Sequence, residues 1–169
     1  MSRVARFHAD RTNQKLYFAR LACQQAEGET NVQAAQGARE AAVFHLYGVV
    51  QAYLQELGRY YRLNDLMRPL PITLEAALAQ RGQKSPELVL LQQALAQGGV
   101  LSGLEQAWQA CQYAPEPAAP APEEESSSQL ILKVTQSPLA WLPEVTLLRE
   151  WRQHLQQLIE QGREGMVEF

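Results

Sequence analysis

The feature that most constrains the fold is a proline-free run over residues 30–62, which carries apolar side chains around much of its helical circumference. At about 1.5 Å per residue, a single helix over this run would be about 50 Å long. Large apolar side chains recur at helical spacing on one face, and small side chains form a second face. A helix with so little polar surface needs partners on two sides. The pattern therefore predicts an all-α protein, a helical bundle around one long central helix (about 30–62).

The second face of this helix consists of small residues and predicts close packing with a neighbouring backbone, which would explain the internal Gly37 and Gly48. An alternative use of the same face is a homodimer contact between two copies of the chain. Thr30 followed by Gln33 has the spacing of a capping box and predicts where the helix begins. The small face is made of Ala34, Gly37, Ala38, Ala41, Gly48 and Ala52.

Shorter helices are expected on both sides of the central one. A first helix is predicted over residues 10–27, or from as early as Arg3. Ser85 followed by Pro86 is a strong start pattern, since serine caps well and proline suits the first helical position. Ser102 with Glu105 has capping-box spacing and predicts the start of another helix.

Composition divides the chain into three segments. Residues 114–128 contain four prolines and four glutamates and no large apolar side chain, which predicts a flexible linker. Residues 1–113 would form the helical bundle. Residues 129–169 would supply an extended segment plus a C-terminal helix that packs on the same bundle, giving a single domain overall.

The C-terminal helix, expected to open at Pro143, has the clearest amphipathic pattern in the chain. Its apolar face is too large to remain in water, so the helix must dock. One interpretation is that it folds back on its own bundle. The other is that it docks on another protein or exchanges between two copies, with Trp151, Leu148 and Leu155 as binding residues. The face consists of Leu147, Leu148, Trp151, Leu155, Leu158 and Ile159.

Charge and cysteine content limit the class of protein. The net charge of −3 disfavours nucleic acid as the partner, although residues 1–20 hold five basic side chains against one aspartate. That basic run is interpreted as the solvated face of the first helix, with contact to phosphate or to an acidic partner as the alternative. Cys23 and Cys111 suit a reducing compartment, and no His or Cys pair has metal-ligand spacing. We therefore expect a cytoplasmic protein with no membrane span, no metal and no cofactor.

Arg39 and His45 are the two polar residues that interrupt the apolar faces of the central helix, and both are candidate binding residues. Their Arg-x5-His spacing resembles the motif of HEPN-type helical ribonucleases. That resemblance implies a catalytic role in RNA processing, with His45 as general acid or base and Arg39 steadying phosphate charge. The motif here lies on the second helix rather than the last, and six positions rotate the two residues about 120° apart. The structural alternative pairs Arg39 with an acid and hydrogen-bonds His45 to a neighbouring helix.

Three segments carry a second resemblance over nearly the full length. Residues 42–47 read Ala-Val-Phe-His-Leu-Tyr, residues 137–142 read Ser-Pro-Leu-Ala-Trp-Leu, and residues 163–169 close the chain with Arg-Glu-Gly-Met-Val-Glu-Phe. They resemble a family of small gammaproteobacterial proteins, a domain of unknown function, which implies a bacterial cytosolic protein and no particular activity. Since nucleotide-binding, hydrolase and metal-helix motifs are all missing from the sequence, the leading hypothesis is a non-enzymatic protein-interaction or adaptor module. The alternative is a HEPN-like nuclease or an inactive relative.

Overall fold

The computed structural model describes residues 3–113 and 141–166, with side chains from residue 9 onward. Within these ranges the chain forms helices and no strand, which confirms the all-α class. The predicted linker, 114–128, and the start of the extended segment lie outside the described residues. The helices are α1 (Arg3–Gly28), α2 (Val32–Tyr60), α3 (Pro71–Gln80), α4 (Pro86–Leu95), α5 (Leu104–Gln112) and α6 (Val145–Gly165).

Helix α2 is the longest of the described helices, and α1, α5 and α6 all pack against it. Helix α1 runs antiparallel to α2, because Thr12 near the start of α1 meets Glu56 near the end of α2. The large apolar face of α2 forms the centre of the core. Its side chains without exposed surface are Val43, Leu46, Val49, Tyr53 and Leu57.

The start of α2 differs by one residue from the predicted capping box. Asn31, not Thr30, is the N-cap, and its side-chain oxygen accepts hydrogen bonds from the amides of Gln33 at 3.0 Å and Ala34 at 3.1 Å. The prediction was wrong because an asparagine one position later reaches the same free amides, and asparagine caps at least as well as threonine.

The end of α2 is set by a Schellman turn, so that Arg62 lies outside the helix. The amide of Leu63 donates to the carbonyl of Gly58 at 2.7 Å, and the amide of Arg62 donates to the carbonyl of Arg59 at 3.1 Å. This turn requires a left-handed residue after the cap, and Arg62 adopts it with φ 57°. Helix α3 ends in the same way with Gly82 at φ 65°.

The small face of α2 is only partly used as predicted. At Gly48 a Cβ would lie 3.2 Å from the Lys15 side chain of α1, so this glycine does permit a close approach. Gly37 is exposed and would meet no atom within 4 Å, so the prediction of close packing there was wrong. The neighbouring Ala38, 4% exposed, provides the buried small residue at that level of α2.

The start of α5 is set by a tertiary contact rather than by the predicted capping box at Ser102. Gly103 is the N-cap, has φ 155° and makes no side-chain cap. A Cβ on Gly103 would lie 3.3 Å from Cζ2 of Trp151. The glycine therefore gives the indole of α6 room to pack against the loop before α5.

Helix α6 packs its apolar face on α1, α2 and α4 of its own chain. It begins at Val145 with Glu144 as N-cap, two residues after the predicted Pro143. Its residues Leu148, Leu155 and Ile159 are at most 1% exposed, and Trp151 is 5% exposed. Its hydrophobic contacts are thus made within the chain.

Candidate binding groove

Arg39 fastens the segment that leads into α6. Its Nε donates to the carbonyl of Pro143 at 2.9 Å, and one Nη donates to the carbonyl of Leu142 at 2.6 Å. The same Nη lies 3.0 Å from a carboxylate oxygen of Glu144. Arg39 thus pairs with an acid, as the structural alternative predicts, and its donors are directed at the start of α6.

His45 lies on the other side of α2, against α1. Its ring packs on Phe18 with 5.3 Å between ring centroids. The Nδ1 atom is buried and has no hydrogen-bond partner among the described residues, so the predicted bond from this atom to a neighbouring helix is not found. Burial lowers the pKa of His45, and the nearby charges of Lys15 and Arg11 lower it further.

Arg39 and His45 are therefore not brought together. The guanidinium binds the segment before α6, whereas the imidazole contacts α1. Two groups that act on one phosphate must both lie within hydrogen-bond reach of it. Within one copy of the described chain, the contacts of these two side chains give them no shared site.

Trp151, Leu148 and Leu155, the candidate binding residues of α6, lie in the core. Their surface is covered by the chain's own helices and offers nothing to a second protein while α6 is docked. The groups of α6 that remain accessible are those of its polar face, which borders α1, together with Leu147 of its apolar face, 38% exposed.

The C-terminal end of α6 is held by a buried ion pair. Arg163 donates from Nε to one oxygen of Glu56 at 2.7 Å and from an Nη to the other oxygen at 2.9 Å. Thr12 donates to the same carboxylate at 2.9 Å, and Asn13 accepts from Arg163 at 2.9 Å. Glu56 is only 8% exposed, so this bidentate pair joins α1, α2 and α6 inside the bundle.

A second buried polar cluster lies beside the first. Glu87 accepts hydrogen bonds from the hydroxyls of Tyr61 at 2.8 Å and Ser85 at 2.7 Å. Burial raises the pKa of Tyr61 to about 12. The hydroxyl of Tyr53 is buried without a hydrogen-bond partner in the described structure and lies where a Cβ on Gly162 would be. Only glycine at 162 lets α6 lie this close to Tyr53.

An open groove of about 390 Å³ lies between α1 and α6. The two helices run antiparallel here, since Arg149 pairs with Glu27 at 2.6 Å and Arg163 binds Asn13. From α1 the lining consists of Asn13, Leu16, Tyr17 and Arg20. From α6 it consists of Arg152, Gln156, Ile159, Glu160 and Arg163.

Two arginines in the groove have no carboxylate partner among the described side chains. Arg20 lies over the ring of Tyr17, 5.0 Å from its centroid, and Arg152 donates to the amide oxygen of Gln156 at 3.1 Å. Arg149 and Arg163, by contrast, are ion-paired. Burial raises the pKa of the nearby Cys23 thiol, against the opposing charges of Arg149 and Arg152. The pairings of Arg149 with Glu27 and of Arg163 with Asn13 place Arg152 about one helical turn from Arg20 along α1.

The sequence predicted none of these groove residues as a site. Arg20 belongs to the basic run of residues 1–20, for which contact with an acidic partner was the alternative interpretation. Arg152 belongs to α6, and only the packing of α1 against α6 brings it into the same groove as Arg20. The basic excess of α1 is the signal that could have suggested one wall of the groove, whereas α6 has as many glutamates as arginines and gives no such signal.

Comparison with known families places the chain. The model of a family of unknown function (DUF6586) matches residues 7–169. The chain belongs to this family. The DUF6586 match includes α2 to α6 and nearly all of α1, so both walls of the groove lie within it. No curated protein and no solved structure matches the chain.

Neither a metal site nor a membrane-spanning helix is found in residues 3–113 and 141–166. No three His, Cys, Asp or Glu residues there are close enough together to hold a metal ion. Among the helices of these ranges, none combines the length and the apolar character needed to cross a membrane.

Proposed function

We propose that this protein is a non-enzymatic binding module that recognises another protein through the groove between α1 and α6. The observation that carries the proposal is the pair of groove arginines, Arg20 and Arg152, that no described carboxylate neutralises. The nine residues that line the groove include no serine, cysteine or histidine. The lining is thus equipped for ion pairs, hydrogen bonds and apolar contact rather than for nucleophilic chemistry.

The groove is a better recognition surface than the apolar face of α6. Contact with a partner through Trp151, Leu148 or Leu155 would require α6 to leave the bundle and break the pair between Arg163 and Glu56. The groove is accessible in the folded bundle without any rearrangement. Its volume of about 390 Å³ also falls within the roughly 300–1,000 Å³ typical of ligand clefts.

The divergent contacts of Arg39 and His45 favour this proposal over RNA cleavage. The donors of Arg39 already bind Leu142, Pro143 and Glu144, so they are committed to the fold. Binding another protein through the groove requires no further role of Arg39 or His45.

Site-specific photo-crosslinking in living cells tests the proposal. The photoreactive analogue benzoylphenylalanine replaces Tyr17, which lines the groove and is 48% exposed. Tyr113, 70% exposed at the end of α5, provides the matched control position. We expect a discrete protein adduct from position 17 that position 113 does not give.

Three results would overturn the proposal. The first is the absence of any adduct at position 17, and the second is the same set of adducts at both positions. The third is an adduct at position 17 that nuclease digestion removes, since that would make the partner a nucleic acid.

A further inference from the structure

We infer that the partner presents an acidic polypeptide segment to the groove, with carboxylates bound by Arg20 and Arg152 and an apolar side chain on the floor between them. This inference rests on the proposed function and specifies the chemistry of its partner.

The first observation behind this inference is the charge balance of the groove. Arg163 is neutralised by Glu56, and Arg149 at the mouth is neutralised by Glu27. Arg20 and Arg152 keep their charges, one on each wall. The acid of the lining, Glu160, accepts a hydrogen bond from Gln156 at 3.0 Å and lies on the rim of α6. A ligand that enters between the walls therefore meets two guanidinium groups that no carboxylate of the described residues compensates.

The shape of the guanidinium group indicates which anion it binds best. Its planar set of N–H donors matches the two oxygens of a carboxylate, and such bidentate pairs are stronger than neutral hydrogen bonds. The pair between Arg163 and Glu56 shows this geometry within the same fold. A glutamate or aspartate of a partner would reproduce it at Arg20 or Arg152.

The floor of the groove is apolar. Leu16 and Ile159 form part of the lining and are 8% and 1% exposed. The stretch of α1 from Asn13 to Arg20 is about 10 Å long, which three or four extended residues span. A short segment that alternates acidic and apolar side chains would meet both the walls and the floor.

The groove offers two arginines without a carboxylate partner among the described side chains, which suits a short peptide better than a nucleic acid. The chain has a net charge of −3, and Glu160 adds a negative charge at the rim of the groove. Nucleic acid carries closely and regularly spaced phosphates and binds chiefly through many lysines and arginines. A peptide of a few residues can place its carboxylates on the two arginines and keep them away from Glu160.

Fluorescence anisotropy with defined probes tests this inference. The probe is a fluorescein-labelled hexapeptide, Glu-Leu-Glu-Glu-Leu-Glu, and its neutral control has glutamine in place of each glutamate. We expect saturable binding of the acidic probe only, weakened about tenfold by Arg20→Gln with Arg152→Gln. The control pair Arg68→Gln with Arg81→Gln removes the same charge from exposed positions away from the groove and should leave the affinity unchanged.

A single reverse substitution sharpens the test. Glu160→Gln removes the rim carboxylate and should tighten binding of the acidic probe by about two- to fivefold. Thermal unfolding of each variant, followed by circular dichroism, verifies that the groove variants are folded.

Three results would overturn the inference: no binding of the acidic probe, equal binding of the glutamine peptide, or unchanged affinity in the double groove variant. A single-stranded RNA 12-mer that binds more tightly, and loses this binding in the double groove variant, would overturn it too. If Tyr17 crosslinks to a protein while the acidic probe does not bind, the inference fails and the proposed function stands. If both experiments are negative, both fail.

Discussion

The two ends of α6 are each held by an arginine, but the two anchors differ in kind. At the start, Arg39 reaches two backbone carbonyls and a glutamate, Glu144, whose side chain is 80% exposed. At the other end, Arg163 makes a bidentate pair with Glu56, whose side chain is only 8% exposed. The difference lies in the carboxylates, because solvent surrounds that of Glu144 and barely reaches that of Glu56.

Because of this difference, the two anchors have different roles in positioning α6. Backbone carbonyls offer the same acceptor whatever the side chain, so the Arg39 anchor fixes where the chain enters α6. The Glu56 pair is buried and specific, so it fixes how α6 lies on α1 and α2. We therefore expect substitutions at the C-terminal end of α6 to lower stability more than those at its start.

The largest effect is expected from Arg163→Met, which leaves the Glu56 carboxylate buried without a cation. We expect a loss of about 3 kcal/mol in the free energy of unfolding, measured by urea denaturation. The matched control is Arg149→Met at the exposed pair with Glu27, expected to lose at most about 0.5 kcal/mol. Adding Glu56→Gln to Arg163→Met should restore part of the loss. Equal losses at Arg163 and Arg149 would contradict the claim that burial of Glu56 makes the Arg163 pair the stronger one.

The next effect concerns Gly162, where α6 presses on the Tyr53 hydroxyl. Gly162→Ala forces either Tyr53 or α6 to move and should cost roughly 1–3 kcal/mol. Gly37→Ala is the control, since a methyl group there meets nothing and should stabilise helix α2 by up to about 1 kcal/mol. The two alanine substitutions should thus shift the urea midpoint in opposite directions. A shift of the same sign would show that helix propensity, not packing, decides at Gly162.

At the start of α6, Arg39→Met should cost about 1–2 kcal/mol, because the hydrogen bonds to the carbonyls of Leu142 and Pro143 are lost. Native-state hydrogen exchange gives the sharper measurement. The amide of Leu148, which donates to the carbonyl of Glu144 at 3.1 Å, should exchange faster in the variant. Faster exchange confined to the Arg163 end would contradict the assignment.

The smallest effect is expected from Glu144→Gln, at most about 0.5 kcal/mol, since its carboxylate is largely solvated. The two bonds from Arg39 to backbone carbonyls remain in this variant. A double-mutant cycle with Arg39→Met measures the coupling between the two side chains. A loss from Glu144→Gln as large as that from Arg39→Met would mean that the ion pair, not the carbonyls, anchors this end.

The regular parts of the fold were accessible from the sequence because their patterns are local. The apolar face of α2 and the amphipathic α6 follow from helical periodicity, and the start of α4 follows from Ser85, whose hydroxyl accepts from the Leu88 amide at 3.1 Å. The cap of α5 could not be predicted in the same way. Gly103 is favoured there by the indole of Trp151, a residue of another helix.

The groove and the ion pair between Arg163 and Glu56 could not be predicted from the sequence for a related reason. Glu56 and Arg163 are 107 positions apart, and nothing local to either residue identifies the other as its partner. Arg20 and Arg152 become a pair only through the way α1 and α6 lie side by side. Prediction from one sequence reaches the faces of single helices, whereas sites between helices depend on which faces meet.

The two walls of the groove come from opposite ends of the chain, so the cleft exists only after α6 has docked. Any compound that binds in the cleft must therefore stabilise the folded form relative to the unfolded one by mass action. A ligand present at about 100 times its dissociation constant would add about 2.7 kcal/mol to the unfolding free energy. A rise in melting temperature is therefore an assay for occupants of the cleft that needs no knowledge of the protein's biology.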